Sequence, residues 1–453
     1  MADETPSGTE VPSEWQEPPL SIEQAEDPTA APESDLDLVA AAPELLADSL
    51  GDYLKAWGRR IKAGESGALP IVVGLIVIII FFQAERSRFD SAINLVDLLQ
   101  QASIYVLLGA AEIFALVLSE IDLSVGWVLA VGGFTIAELV GPPVSLPWWL
   151  GILGGVAVTA VIGYLQGSLI TRLHVPSFVV TLAGLLFFEG VAIELATVDK
   201  QAVGGVMSVS TSSVIFKLVN SNISPGLSWI ILVVVLAIFA ALTLSRAARR
   251  RAQGLTAPPL GITLVTIAVT AIGGIVLVYI CSVNRGSVLI TLRGVPWVVP
   301  FVGLVLFAYS ILLGRTRLGR YMYAIGANPE AARRAGINVQ GVRRIAFALS
   351  AMTAGIAGLV YVSFLGSIST DVPGGNYTLY GVAAAVIGGA SLFGGRGKPI
   401  HALLGGLVLG IVFNGLALMG ISAAGEYMAT AIVLLVAATV DALVRRSGAA
   451  GAV

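Results

Sequence analysis

The stretch Gly326-Ala327-Asn328-Pro329-Glu330-Ala331-Ala332-Arg333-Arg334-Ala335-Gly336-Ile337 carries the densest local chemistry in the chain. Asn328 can accept hydrogen bonds from the first free backbone N–H groups of a helix, Pro329 suits its first position, and Glu330 complements the positive end of its dipole. Arg333 and Arg334 follow near the negative end, and Gly336 stands where a left-handed residue would stop the helix. The spacing therefore predicts about two turns, too short to persist alone because nucleation is costly, so the segment must dock against something. A partner protein is the natural surface. Arg333 and Arg334 can pair with its carboxylates or can simply mark the loop as cytoplasmic.

Chemistry for energy release is missing from the sequence. No G-x-x-x-x-G-K-[ST] phosphate loop occurs, and the nearest fragment, Gly394-Gly395-Arg396-Gly397-Lys398-Pro399, ends in Pro where a magnesium-binding hydroxyl is required. The single cysteine, Cys281, cannot form an intrachain disulfide, and His174 and His401 lie far apart at segment ends, so no metal site is expected. Neither a His-Glu-x-x-His helix nor a Gly-x-Ser-x-Gly elbow is present. The chain reads as a transport subunit rather than an enzyme, with no cofactor of its own; ATP and magnesium belong on a separate subunit.

The elements that position these residues are membrane spans. Of 453 residues, 56% are hydrophobic and 12% charged, too apolar for a water-soluble surface and without the basic face that nucleic acid requires. Hydropathy predicts an all-α polytopic protein with about twelve (10–12) spans, near 68–84, 92–118, 121–140, 148–172, 176–196, 227–245, 260–281, 297–314, 344–366, 378–394, 399–420 and 424–444. The first 48 residues hold 13 of the 29 acids and none of the 26 bases, leaving the remainder net +10. Residues 1–60 are accordingly expected to form an acidic, disordered cytoplasmic tail, and 61–453 the membrane domain, with the loop 315–343 on the same side. Lys55, Arg59, Arg60, Lys62, Arg172, Arg246, Arg249, Arg250, Arg251, Arg315, Arg317, Arg320, Arg396, Lys398, Arg445 and Arg446 all fall inside if both ends are cytoplasmic. The spans opened by Ile121-Asp122-Leu123-Ser124 and Val175-Pro176-Ser177, and the glycine-rich 387–397, look broken. Such breaks either line a solute path or are ordinary capped helix ends.

At these residues the chain resembles the permease subunits of bacterial ATP-binding-cassette importers for ribose, xylose and related simple sugars. Glu120-Ile121-Asp122-Leu123-Ser124-Val125-Gly126 resembles that family's I-D-L-S-V-G signature, while Val175 to Leu182 and Ile387 to Gly397 look like its other recurrent segments. The resemblance implies a fold like that of the vitamin B12 permease, in which two copies form one path and an extracytoplasmic binding protein delivers the sugar. It implies that Asn328, Pro329, Glu330, Ala331, Arg333, Arg334 and Gly336 form the helix that couples to a cytoplasmic ATPase. It also implies that Asp122, Ser124, Gly126, Pro176, Ser177 and Phe178 lie near the path. An added pair of spans between about 197 and 290 tilts the reading toward a pentose such as xylose. A sugar stripped of water needs hydrogen bonds, which nominates Gln100, Gln101, Asn376, Tyr377 and Asn414; each could equally bridge helices. The acids Glu112, Glu189 and Glu194 must face protein or water. An ion-coupled secondary transporter of twelve spans stays open as an alternative, as does a permease of the same family for another solute. Against the former, Gly314-Arg315-Thr316-Arg317-Leu318-Gly319-Arg320 follows the eighth span and lacks the Asp of the major facilitator loop it resembles.

Overall fold

The structure, a computed structural model, describes residues 69–198, 204–254, 257, 259–286, 291–432, 435 and 439. The acidic leader and the basic clusters at 55–62 and 445–446 lie outside those residues. In chain order the helices are α1 (Leu69–Glu85), α2 (Ala92–Leu116), α3 (Val125–Val140), α4 (Trp148–Leu173), α5 (Ser177–Val198), α6 (Val214–Asn220), α7 (Pro225–Ala252), α8 (Leu260–Ser282) and α9 (Val298–Arg315). Then come α10 (Arg317–Ala327), α11 (Pro329–Arg334), α12 (Val339–Leu365), α13 (Gly374–Ile387) and α14 (Pro399–Leu418).

Eight of these, α2, α4, α5, α7, α8, α9, α12 and α14, are long and apolar enough to cross a bilayer, while α1 and α3 are apolar but shorter. The remaining two expected spans do not reach that length among the described residues. The expected tenth span at 378–394 is α13, only 14 residues long, because Gly388 closes it and Gly389, Gly394 and Gly395 take positive φ in the turns that follow. The expected twelfth, 424–444, starts as a helical run at 423–432 and then leaves the described residues. Two short strands accompany the helices. Connectors after α5 and α12 meet as two short antiparallel strands, β1 (Val206–Ser208) and β2 (Ser367–Ser369), which satisfy each other's backbone groups.

Helix α2 is the axis of the bundle, buried continuously from Ala102 to Leu116 against α12, α13 and α14. Small residues allow that closeness. A Cβ on Gly109 would meet that of Ala384 at 2.9 Å, and one on Gly132 would meet the Gly355 backbone at 2.9 Å. By contrast α7 buries little besides Ser228 and Ala247, and α8 little besides Thr263, Val278 and Cys281, so the added pair packs as a peripheral hairpin. Its aliphatic faces, such as Val233 and Val269, are left for lipid. Arg285 pins the hairpin's exit, donating to the carbonyls of Cys281 and, at 3.0 Å, Gly294.

Candidate functional site

At one end of the bundle the chain leaves α9 and builds α10 and α11. Asn328 caps α11 as its spacing predicts, with Oδ1 accepting from the N–H groups of Glu330 and Ala331, both at 3.0 Å. The far end closes through Ile337 N to Ala332 O at 3.1 Å and Gly336 N to Arg333 O at 3.0 Å, with Gly336 left-handed at φ 81°. Ala332 alone is buried, and the rest of α11 stands out from the bundle. Arg333 and Arg334 both reach back to Glu330, at 3.6 and 3.4 Å. Those three side chains are 69%, 81% and 59% exposed, so the pairs contribute on the order of 0–1 kcal/mol and are easily exchanged for others.

The seat beneath α10 and α11 is built from backbone. Helix α2 unwinds after Leu116, Ser119 takes a left-handed conformation (φ 63°), and its hydroxyl donates to Phe393 O at 2.9 Å. Gly395 N donates to Val117 O at 3.0 Å, and Tyr323 of α10 donates to Gly397 O at 2.5 Å. Gly326 abuts Val117 so closely that any Cβ would collide. The glycine-rich 387–397 therefore joins the α2–α3 connector in supporting α10.

The same connector carries Asp122, Ser124 and Gly126, all sealed inside the subunit. Asp122 Oδ1 accepts from Ser124 N and Oγ at 3.1 and 2.7 Å, and Oδ2 accepts from Ser350 Oγ of α12 at 2.9 Å. Gln166 of α4 donates to Ser124 Oγ at 3.0 Å, and Gly126 N donates to Thr378 Oγ1 of α13 at 3.0 Å. A Cβ on Gly126 would overlap the Gly374 carbonyl. These residues thus clamp α3, α4, α12 and α13 together. The partners Gln166, Ser350 and Thr378 had no local signal in the sequence. Thr181 of the Val175–Leu182 segment donates to Ile121 O at 3.3 Å, so the recurrent segments converge here.

Pro176 and Ser177 open α5 and line a cavity of about 300 Å³ together with Glu120, Thr171, His174, Arg333 and Arg343. Arg343 pairs with Glu120 at 3.1 Å across it, and Arg344 donates to Thr171 at 3.0 Å. Phe178 turns outward from α5 and is exposed.

Toward the opposite end, the five polar residues nominated from sequence divide into two groups. Gln100 donates to Val219 O at 2.7 Å, and Asn414 exchanges hydrogen bonds with Asn94 at 2.8 and 2.9 Å. Gln101, Asn376 and Tyr377 make no side-chain hydrogen bond among the described residues, and Tyr377 sits in a cluster of aromatic rings. Among the acids, Glu112 is fully buried, Glu189 half-buried and Glu194 exposed.

Comparison with known proteins places residues 94–438 in the family described as branched-chain amino acid transport system / permease component. The xylose transport system permease protein of Escherichia coli K12 is 33% identical over 391 residues, covering 85% of this chain and 94% of that one. The ribose import permease protein of the same organism is 28% identical over 389 residues, covering 86% and 95%. The fructose import permease protein of Rhizobium meliloti is 27% identical over 382 residues, covering 84% and 87%. No solved structure matches the chain.

Proposed function

The chain belongs to the permease-component family of the branched-chain amino acid transport type, and from that premise we propose that it is the membrane subunit of an ATP-driven sugar importer. It takes a monosaccharide, first of all a pentose such as xylose, from an extracytoplasmic binding protein and passes it inward. The relatives named for xylose, ribose and fructose transport support a sugar, and as permease components they speak against an ion-coupled carrier. The observation that carries the reading is α11, a fully capped helix held out from the bundle on a backbone seat, with its charges on view.

In this reading α11 inserts into a cytoplasmic ATPase, which binds ATP and magnesium. Closure of the ATPases on ATP pulls two copies of α11, one from each copy of the chain, and the tilted spans open outward; hydrolysis resets them. Such coupling requires that the two arrangements of the spans interact differently with the closed ATPase. The bases of α7, α9 to α12 and the 390–398 loop lie at the α11 end, which the positive-inside rule assigns to the cytoplasm. Both termini then lie inside a bacterial plasma membrane, with α13 and the run from 423 completing twelve crossings in a fold like the vitamin B12 permease.

The test is uptake against hydrolysis. Gly336→Pro forces φ near −65° where the chain needs +81°, and Asn328→Ala with Glu330→Ala strips the cap, so both deform α11. The variants are expected in the membrane at normal abundance, with sugar accumulation lost and ATP hydrolysis no longer stimulated by the loaded binding protein. Undiminished accumulation would overturn the assignment.

A further inference from the structure

Four tyrosines from three helices meet in the half of the bundle remote from α11. Tyr105 lies midway along α2, Tyr361 near the end of α12, and Tyr377 and Tyr380 in the first turns of α13. Ring centroids are 6.2 Å apart for Tyr105–Tyr377, 5.9 Å for Tyr105–Tyr380, 6.0 Å for Tyr377–Tyr380 and 5.7 Å for Tyr361–Tyr377. Phe413 of α14 closes one side, 4.7 Å from Tyr380.

Their hydroxyls depart from the usual pattern for buried tyrosines. A buried tyrosine normally finds a hydrogen-bond partner. Tyr309, 6% exposed, bonds Thr353 at 2.7 Å, and Tyr323 bonds Gly397. Tyr105, Tyr361 and Tyr380 are equally buried at 6%, 6% and 7%, yet among the described residues neither their hydroxyls nor that of Tyr377 has a hydrogen-bond partner. The hydroxyls are not sealed either. Among the described residues the sealed, unpartnered side-chain atoms are those of Glu112, Arg343 and His401. Each hydroxyl is thus left partly open while its ring is packed away. Gln101 lies one turn from Tyr105 on the same face of α2, and Asn376 one turn from Tyr380 on α13; both amides are half-buried and have no hydrogen-bond partner among the described residues.

We propose that Tyr105, Tyr361, Tyr377 and Tyr380, with the amides of Gln101 and Asn376, form a site for a neutral monosaccharide on its way through the subunit. Flat rings offer apolar faces to the C–H surfaces of a sugar ring, while hydroxyls and amides replace the water its hydroxyl groups lose. Charge selects the class. Among the described residues the ionisable side chains from neighbouring elements that act on these tyrosines are Tyr427, Glu426 and Asp371, none of them a cation. An amino acid's carboxylate would find no counter-charge in that set, whereas a neutral polyol needs none. The site also lies on a lever, since α12 runs without interruption from Arg343, paired with Glu120 beside α11, to Tyr361, 18 residues (361 − 343) or about 27 Å away. Movement of α11 therefore has a rigid route to the site.

The inference rests on the importer reading, and the experiment separates the two. The complete importer, with its ATPase and binding protein, is reconstituted in proteoliposomes and supplied with labelled D-xylose, D-ribose, D-fructose or L-leucine. Tyr377→Phe and Tyr380→Phe, which keep the rings and remove the hydroxyls, are each expected to lower sugar uptake about tenfold at saturating binding protein, the worth of one lost hydrogen bond. Binding-protein-stimulated ATP hydrolysis and the unfolding temperature should hold, so the ATP consumed per sugar rises, a readout a merely structural role would not give. Phe and Ala variants that transport every sugar at the unaltered rate would overturn the site and leave the importer standing. An unaltered complex that moves leucine and no sugar would overturn both.

Discussion

Two buried carboxyl groups show how differently one chemistry can be housed. Asp122 has both oxygens engaged, by Ser124 on its own turn and by Ser350 across the bundle, whereas among the described residues the fully enclosed Glu112 has no well-formed hydrogen bond, only the Asp122 backbone N–H near it. Asp122→Asn replaces an acceptor by an amide that must face donors, and should cost about 1–3 kcal/mol. Glu112→Gln gives up no well-formed hydrogen bond, keeps an amide oxygen to face the Asp122 N–H and relieves any unpaired charge, so it should leave stability unchanged or improve it. Thermal unfolding of the purified protein in detergent measures both. A larger loss at Glu112 than at Asp122 would show that the partners seen here are not the ones that matter. Asn94 and Asn414 form the outer counterpart of this clamp, and Asn414→Leu should cost about 1–3 kcal/mol by stranding Asn94.

Among the elements, α12 takes up the connections on which the account depends. Its first turns hold Arg343 against Glu120 and Arg344 against Thr171, its middle holds Ser350 against Asp122, and its last turns hold Tyr361. The Arg343–Glu120 pair is partly buried, and a double-mutant cycle of Arg343→Gln with Glu120→Gln should return a coupling of about 1 kcal/mol that falls with added salt. Additivity of the two changes would contradict it. Helix α11 was legible in advance because an Asn cap, a first-turn Pro and a left-handed Gly act within nine residues. The clamp around Asp122 was not, since Gln166, Ser350 and Thr378 stand 42, 228 and 252 residues from their partners. Hydropathy overran at α13 because apolar residues continue past Gly388, and what ends the helix is a run of glycines at positive φ, shielded by protein rather than by lipid. The aromatic cluster was glimpsed only at Tyr377, its other members being spread over three helices with no common spacing.

The molecule as a whole is polarised along the membrane normal. One end gathers the bases of α7 and α9 to α12, with α10, α11 and the backbone seat, while the other gathers the β1–β2 pair, the four clustered tyrosines and the acids Asp371 and Glu426. The tightly packed core of α2, α3, α12, α13 and α14 lies between them, with α7 and α8 set aside at the periphery, where they add apolar surface. Such an arrangement suits a device that receives force at one end and handles solute at the other. Its most direct test is where α11 stands and what it touches. The sole native cysteine, Cys281, is buried, so Ala331→Cys and Asp371→Cys each introduce one exposed thiol. In intact cells Asp371→Cys should react with a membrane-impermeant maleimide, while Ala331→Cys should be protected from it and should crosslink to the ATPase subunit. Labelling of Ala331→Cys from outside, or the absence of any crosslink to an ATPase, would contradict the account.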